Sequence, residues 1–315
     1  MDVSTTQKIN CFSIRRRFID AARTGIRPAG RMMWWMAKLT VVVSASIAVL
    51  QYAGVITWLA EKLHPLFGVI GLPGESALIY LTAYFVNLYP AVAALVTLDL
   101  DLRAVSIMAV MCLCSHNMII ETAIQKKCGS SAVQMVALRT GAALVSAFLL
   151  NLILPAEPAA SAVARVPVSL SLKETAINWM VSTSILLVKM GTIIFSLNVL
   201  QKVMVEFGII RVLSKLFRPV LKIFGLPAGT SFLWIVANTL GLAYGAAVMT
   251  EETEQGKISK KDADLLNYHI AISHSNLEDV LLFFSVGANL WCMLLTRWAL
   301  AAGVVWIRRF FRRCA

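Results

Sequence analysis

Charged residues are scarce in this chain. They make up 15% of its 315 residues, whereas hydrophobic residues make up 58%. So apolar a composition excludes a water-soluble domain and predicts several membrane spans, because a membrane is crossed by helices of predominantly apolar residues. At about 20 residues for each span, the chain has room for roughly six to eight of them.

Acidic residues are scarcer still, with 17 Asp and Glu against 29 Lys and Arg and a formal net charge of +12. Such an excess can signal nucleic-acid binding, but here the basic residues lie between and beyond the apolar runs. In a membrane protein this placement is typical of the cytoplasmic loops. We therefore predict a multi-pass protein of the bacterial inner (cytoplasmic) membrane. It would contact the lipid bilayer, bind no nucleic acid and have both termini in the cytoplasm.

Several chemical motifs are also missing from the sequence. The six cysteines follow no regular spacing, which excludes a disulfide framework. There is no phosphate-binding loop, no zinc-ligand spacing and no convincing nucleophile constellation, so we predict no enzyme, no resident cofactor and no bound metal. Cys112, Cys114 and His116 could act as soft-metal ligands, but their alternate spacing suits a strand better than a helix, and buried cysteines are common. No small-residue cleavage site follows the apolar run after Lys38, so we expect no cleavable signal peptide.

The few ionisable residues inside apolar runs form a pattern that occurs twice. Residues 115–121 read SHNMIIE and residues 273–279 read SHSNLED, with the two Ser-His pairs 158 positions apart. Arg139 follows Glu121 by 18 positions, and Arg297 follows Asp279 by the same number. Ionisable groups at membrane depth usually face a bundle interior or a water-filled cavity and mark functional sites. The predicted solute- or ion-binding residues of the two copies are His116, Asn117, Glu121, Arg139, His274, Ser275, Asn276, Glu278, Asp279 and Arg297.

Two interpretations of these groups stay open. Histidine titrates near neutral pH and carboxylates bind cations, which favours a proton- or ion-linked site. Alternatively, Arg139 and Arg297 neutralise the acids as ion pairs that fix helix packing, and the histidines only form structural hydrogen bonds. On a regular helix a histidine and an acid five residues later are offset by about 140°. An unwound turn near the motif would bring them together.

A Gly-Leu-Pro triplet also repeats, at residues 71–73 and 225–227, which are 154 positions apart. The separation grows to 158 positions at the histidines. We therefore predict that the second half has a small insertion between its Gly-Leu-Pro triplet and His274, within residues 250–264. Weak internal symmetry with interrupted apolar segments is typical of inverted-repeat transporters, whose site lies at the repeat interface.

The segment after the first triplet consists of two half-length apolar runs, residues 77–86 and 91–98, around a break that contains Pro90. We interpret it as a re-entrant helical hairpin, and the alternative is one kinked helix over residues 77–98. Polar residues of the hairpins would complete the site. They are Glu75, Ser76, Asn87 and Tyr89 in the first half, and Asn238 and Tyr244 in the second.

Loop charge favours the hairpins. With a hairpin in each half, each half has three full spans, so the halves are inverted and the basic segment 202–222 stays in the cytoplasm together with Lys126 and Lys127. If both segments spanned fully, these basic loops would move outside, against the bias of Lys and Arg. The predicted fold is therefore an all-α polytopic membrane protein with two inverted repeats, each of three spans plus a re-entrant helical hairpin.

On the motif at residues 273–279 and on GLPGES at residues 71–76, the chain resembles the nucleoside-recognition, or Gate, domain family of membrane proteins. That family includes spore maturation proteins A and B, and related segments occur in concentrative nucleoside transporters and in ferrous iron transport protein B. The resemblance covers most of residues 40–305, once in each half, and implies inverted repeats with hairpins around a central polar cavity. The implied organisation is a basic interfacial segment (1–38), Gate repeat 1 (39–155), a linker (156–173), Gate repeat 2 (174–307) and a basic tail (308–315).

The leading functional prediction is an inner-membrane secondary transporter of a small polar or anionic solute, coupled to H⁺ or Na⁺. A divalent-metal permease is the first alternative, and a non-transporting membrane scaffold or accessory subunit is the second. A homo-oligomer is compatible with the sequence.

Overall fold

The computed structural model describes residues 3–98, 100–155 and 171–314, and within these ranges the chain is helical, without a β-strand. The helices of the first half are α1 Val3–Tyr52, α2 Val55–Gly68, α3 Ser76–Phe85, α4 Leu88–Leu98, α5 Leu102–Ser115, α6 Met118–Lys127 and α7 Ala132–Ile153. Those of the second half are α8 Leu172–Glu206, α9 Ile209–Leu216, α10 Arg218–Ile223, α11 Ser231–Thr239, α12 Leu242–Glu254, α13 Lys260–Ser273, α14 Glu278–Phe284 and α15 Leu290–Cys314. The prediction of an all-α chain is confirmed.

Five helical segments of the described residues are long and apolar enough to cross a membrane. They are Ile14–Tyr52, Leu102–Lys127, Ala132–Ile153, Leu172–Glu206 and Leu290–Phe311. The polytopic membrane character is therefore confirmed. The apolar run that contains the motif at residues 273–279, one of the three spans predicted for the second half, falls on α13 and α14, which four non-helical residues separate.

The ends of the chain differ from the prediction. Helix α1 continues across the boundary expected at residue 38, with Pro28 inside it, and ends at Tyr52 before the left-handed Gly54. Helix α15 likewise runs past residue 307. Of the predicted linker, residues 156–170 lie outside the described residues. The division of the chain into an interfacial segment, two Gate repeats, a linker and a tail stays a prediction.

The first and eighth helices form an antiparallel pair. Arg17 near the start of α1 forms an ion pair with Glu206 at the end of α8, with 2.8 Å between Nε and Oε1. Near the other end of the pair, the Trp179 indole N–H donates to Ser44 Oγ at 3.1 Å.

Short helices occupy the positions of the predicted hairpins. Helices α3 and α4 contain 10 and 11 residues. Each is thus about 15 Å long, half the thickness of the hydrocarbon core. They pack against each other. The break lies at residues 86–87, ahead of the predicted position, because Pro90 is accommodated in the first turn of α4, where a proline does not disrupt a helix. Helices α11 and α12 form the matching pair of the second half.

Helix starts in the two halves keep the separations found in the sequence. Helices α4 and α12 start at Leu88 and Leu242, 154 positions apart, whereas α5 and α13 start at Leu102 and Lys260, 158 positions apart. Helices α7 and α15 also start 158 positions apart. The extra residues lie in the longer α12 and in the connection to α13, so the insertion predicted within residues 250–264 is confirmed.

The two broken segments, α5–α6 and α13–α14, run antiparallel. At one end, Ser130 after α6 donates to Asp264 near the start of α13, at 2.8 Å. At the other end, the backbone N–H of Asn289 after α14 donates to Ser106 Oγ near the start of α5, at 3.0 Å. Their breaks consequently meet in the middle of the bundle.

Candidate functional site

Each broken segment is unwound at its Ser-His motif, and one residue of each break adopts a left-handed backbone. Asn117 has φ 49° and Ser275 has φ 51°. Such a conformation costs about 1–2 kcal/mol for a residue with a Cβ atom. Helices α3 and α11 stabilise the two breaks, because the backbone N–H of Asn117 donates to the Ala83 carbonyl at 2.8 Å and that of Ser275 to the Ala237 carbonyl at 3.2 Å.

Two fully buried arginines bind the carbonyl ends of the broken helices. Arg139 donates from Nε to the Cys114 carbonyl at 3.1 Å and from Nη2 to the His116 carbonyl at 2.7 Å. The last carbonyls of a helix have no partner within it, and at membrane depth each unsatisfied group costs several kcal/mol. Arg139 therefore has a structural role at the end of α5.

Arg297 repeats this arrangement in the second half. It donates to the Ile272 carbonyl at 2.8 Å, to the His274 carbonyl at 2.7 Å and to Asn276 Oδ1 at 2.9 Å. Within the described part of the chain, Asp279 is not among its ion-pair partners, so the ion pair of the second interpretation is not formed between them.

The arginine of the first half also neutralises an acid. Arg139 Nη2 lies 2.6 Å from Glu121 Oε2, with both side chains buried. The ion-pair alternative thus holds for Glu121. Asp279 lies instead near His116 of the other half, 3.5 Å from its Nε2.

The two histidine rings face each other, with 5.1 Å between their centroids. Nδ1 of His116 lies 3.1 Å from the Cys112 carbonyl oxygen, and Nδ1 of His274 lies 2.7 Å from that of Ile270. Because a carbonyl oxygen only accepts, Nδ1 of each ring carries the hydrogen and Nε2 of each neutral ring is an acceptor.

Both Nε2 atoms lie close to carboxylate oxygens. Nε2 of His116 is 3.0 Å from Glu121 Oε1, and Nε2 of His274 is 3.2 Å from Glu121 Oε2. Two acceptors at such distances repel each other. Each contact is therefore favourable only with added positive charge, which is a proton on the ring or on the carboxyl group, or a bound cation.

Helices α4 and α11 contribute further polar side chains to this cluster. The Tyr89 hydroxyl donates to Glu278 Oε1 at 2.6 Å. Asn276 Nδ2 donates to Asn238 Oδ1 at 2.6 Å. Tyr89 belongs to the first half and Asn238 to the second, and both contacts reach the broken segment of the second half, so the structure brings these predicted residues together.

Charge is nearly but not completely balanced in the cluster. With neutral histidines, Arg139 and Arg297 contribute two positive charges, whereas ionised Glu121, Glu278 and Asp279 contribute three negative ones. The remaining negative charge matches one proton or one monovalent cation.

Some predicted site residues lie elsewhere. Glu75 and Ser76 are at the start of α3, whereas Ala83 at its other end contacts the cluster, roughly 12 Å away along the axis. Glu75 lines a groove with Glu61 and His64 instead. The structure does not bring these two residues to the cluster, because they lie at the opposite end of α3 from Ala83.

Two more predicted residues have other roles. Tyr244 is 52% exposed and does not join the cluster. Since α12 starts 154 positions after α4, the counterpart of Tyr89 is Ala243 and not Tyr244. Asn87 Oδ1 accepts from the backbone N–H of Tyr89 at 3.2 Å and so belongs to the start of α4.

Sequence reasoning also missed buried polar residues next to the cluster. Gln125 and Asn267 are both fully buried. The available signal was their spacing, since Gln125 follows Glu121 by one helical turn and Asn267 precedes His274 by two.

A metal ion would find ligands in this cluster. One ligand atom each of His116, Glu121 and His274 lies within 4.8 Å of the others, and all three residues are buried. Two imidazoles and a carboxylate suit several divalent transition metals. The buried thiols of Cys112 and Cys114 are not part of this group.

Comparison with known proteins supports the membrane assignment. The chain is 29% identical over 280 residues to the uncharacterized membrane protein YvoD of Bacillus subtilis (strain 168), and the match covers 87% of this chain and 89% of that protein. No family model and no solved structure matches the chain. The resemblance to the nucleoside-recognition family therefore stays a prediction, and the chain is similar to a membrane protein along most of its length.

Proposed function

We propose that the protein is a secondary transporter of the bacterial inner membrane and that the buried histidine–carboxylate cluster binds its coupling proton or cation. The observation that carries this proposal is the approach of both histidine Nε2 atoms to the oxygens of Glu121. The Arg139 guanidinium neutralises Glu121, but no described side chain places a hydrogen between the two Nε2 atoms and these oxygens, so both contacts need a proton or a bound cation. A site that is stable only with a proton or cation is suited to ion coupling.

We further propose that the halves are inverted repeats and that α3–α4 and α11–α12 are re-entrant hairpins. The antiparallel course of α5–α6 and α13–α14 supports the inversion, as does that of α1 and α8. Alternating access in such folds moves one repeat against the other around a site near the membrane centre. Loop Lys and Arg support cytoplasmic termini.

The solute is proposed to be small and polar. Arg139 and Arg297 are the natural partners for an anionic solute, but their donors already bind backbone carbonyls. An anion would have to displace these bonds and leave the carbonyls unpaired. The polar part of our solute prediction is thus better supported than the anionic part.

The proposal is tested by the thermal stability of the purified protein in detergent. Melting is measured with Na⁺ or with K⁺ as control, at one pH below and one above the ordinary histidine pKa of about 6.5. A bound ion stabilises the folded state by about 2.7 kcal/mol at a hundredfold excess over its Kd. We expect stabilisation by protons or by Na⁺ in the native protein, and its loss in Asp279→Asn.

Glu61→Gln is the matched control, because Glu61 is exposed on α2. It should retain the response. An unchanged response in Asp279→Asn and in Glu121→Gln would refute a coupling site here. If both variants also fold and melt as the native protein does, the result supports the scaffold or accessory-subunit alternative. A hit in a panel of nucleosides, amino acids and other small solutes, tested in the same assay, would name the solute class.

A divalent-metal permease is the second candidate, and the ligand geometry of His116, Glu121 and His274 favours it. It ranks second because the Arg139 guanidinium, 2.6 Å from Glu121 Oε2, repels a divalent ion. Calorimetric titration with Mn²⁺ or Zn²⁺ tests it. Saturable binding of one ion that is lost in His116→Ala and kept in His64→Ala would support the metal site. The absence of binding to the native protein would remove this candidate.

A further inference from the structure

Buried polar side chains continue from the cluster toward one end of the bundle. Gln125 lies one turn beyond Glu121 on α6. Asn267 Nδ2 donates to the Gln125 carbonyl at 3.1 Å and to Ser130 Oγ at 2.7 Å. Ser130 Oγ in turn donates to Asp264 Oδ1 at 2.8 Å. These residues connect the centre of the protein with the loop that follows α6.

Three polar atoms along this line have no hydrogen-bond partner among the described residues. They are Oε1 and Nε2 of Gln125 and Oδ1 of Asn267, and both side chains are fully buried. A buried amide without a hydrogen bond costs about 1–3 kcal/mol in proteins. Buried polar groups of this kind are usually satisfied by ordered water.

We propose that Gln125, Ser130, Asp264 and Asn267 line a water-binding pathway that connects the histidine–carboxylate cluster with the membrane face at Lys126 and Lys127. This inference rests on the proposed function, for which it supplies the route of the coupling proton or cation. Its outer end is Asp264, which is paired with Arg308 at 2.7 Å and is partly exposed.

The pathway carries a proton without any change in its own residues. A water molecule at the outer end accepts a proton from the bulk and passes another to the next water along the line. The last water protonates Glu121 or a histidine Nε2. The amides of Gln125 and Asn267 orient the waters and end in their starting state.

The internal repeat shows that the pathway leads to one face. At the separation of 158 positions, the counterpart of Gln125 is Phe283 and the counterpart of Asn267 is Ala109. Both counterparts are fully buried and apolar. The equivalent line toward the opposite face consequently lacks the two buried amides.

Cysteine accessibility to Ag⁺ tests the pathway in the full chain, reconstituted in vesicles. The variants are Asn267→Cys and, as the matched control at the symmetry-related buried position, Ala109→Cys. After Ag⁺ treatment from one face, the remaining free thiols are counted in denaturant against those of the unsubstituted protein. We expect Asn267→Cys to react about tenfold faster than Ala109→Cys, and only from the face of Lys126 and Lys127, because thiol reactivity follows water access.

Equal and slow reaction of both cysteines would overturn the pathway, and so would reaction of Asn267→Cys from the opposite face alone. The stability of Gln125→Leu gives a second measurement. If the amide is dry and unpaired, this near-isosteric apolar replacement stabilises the protein, which would also refute the proposal. In a hydrated pathway the variant is no more stable than the native protein. Neither measurement requires transport, so failure of the pathway is distinguishable from failure of the proposed function.

Discussion

Replacing Arg139 with leucine removes the donor group that holds the end of α5 and neutralises Glu121. The carbonyls of Cys114 and His116 lose their partner, at about 1–3 kcal/mol each. The carboxylate of Glu121 loses the guanidinium 2.6 Å away, and breaking a buried ion pair from one side costs about 3–5 kcal/mol. We expect Arg139→Leu to lower the free energy of unfolding by at least about 5 kcal/mol.

Arg297→Leu is the matched control for this prediction. It also leaves two helix-end carbonyls unpaired, those of Ile272 and His274, and in addition Asn276 Oδ1, but it breaks no ion pair within the described part of the chain. It should therefore be less destabilising than Arg139→Leu by about 2 kcal/mol, which is the ion-pair contribution of about 3–5 kcal/mol less about 1–3 kcal/mol for the additional acceptor.

Glu121→Gln separates the two effects further. In the Arg139→Leu background, Glu121→Gln removes the unpaired buried charge and should recover part of the lost stability. In the native background, Glu121→Gln leaves Arg139 without its acid and should destabilise the protein. A double-mutant cycle between residues in contact measures this coupling, for which we expect about 2 kcal/mol. The assay is unfolding by SDS in mixed micelles, followed by circular dichroism. Equal losses for the two arginine variants, or no recovery by Glu121→Gln, would refute the reasoning.

Three further predictions concern backbone space, backbone strain and thiol chemistry. A Cβ atom on Gly74 would overlap the Ala60 carbonyl oxygen, so Gly74→Ala should cost about 1–3 kcal/mol in the same SDS assay, whereas Gly141→Ala, with no atom within 4 Å, should not destabilise. Ser275 already carries the left-handed cost of a residue with a Cβ atom, so Ser275→Gly should not destabilise, whereas Ser275→Val should, because a β-branched side chain tolerates this backbone less than serine does; equal effects would contradict the strain. Burial raises the pKa of the Cys128 thiol, so the midpoint of its maleimide labelling rate against pH should lie above 9.0, the ordinary value; a midpoint at or below that pH would contradict the shift.

The residues of the site were identifiable from the sequence to different degrees. His116, Glu121, His274 and Asp279 stood out because ionisable groups are rare in apolar runs and these occur in a repeated pattern. Their grouping is confirmed by the structure. The arginines were found by the same pattern, but their main partners are backbone carbonyls, which no sequence pattern displays.

Tyr89 and Tyr244 show where the pattern fails. Both are tyrosines near a helix break, yet Tyr89 donates to Glu278 and Tyr244 is exposed. A shift of one residue turns a helical side chain by about 100°. Only the helix starts, which the sequence places no better than within a few residues, decide which tyrosine faces the site.

The sequence by itself determined the membrane class, the internal repeat and the ionisable residues of the centre, because hydropathy, spacing and rare charge are local properties of the chain. Only the tertiary structure decided which atoms meet. The contact of His274 with Glu121 joins the two halves across the bundle, and the continuation through Gln125, Asn267 and Asp264 depends on the antiparallel packing of α6 and α13. Contacts between residues more than a hundred positions apart depend on the depth and rotation of whole helices, which packing sets and local sequence does not.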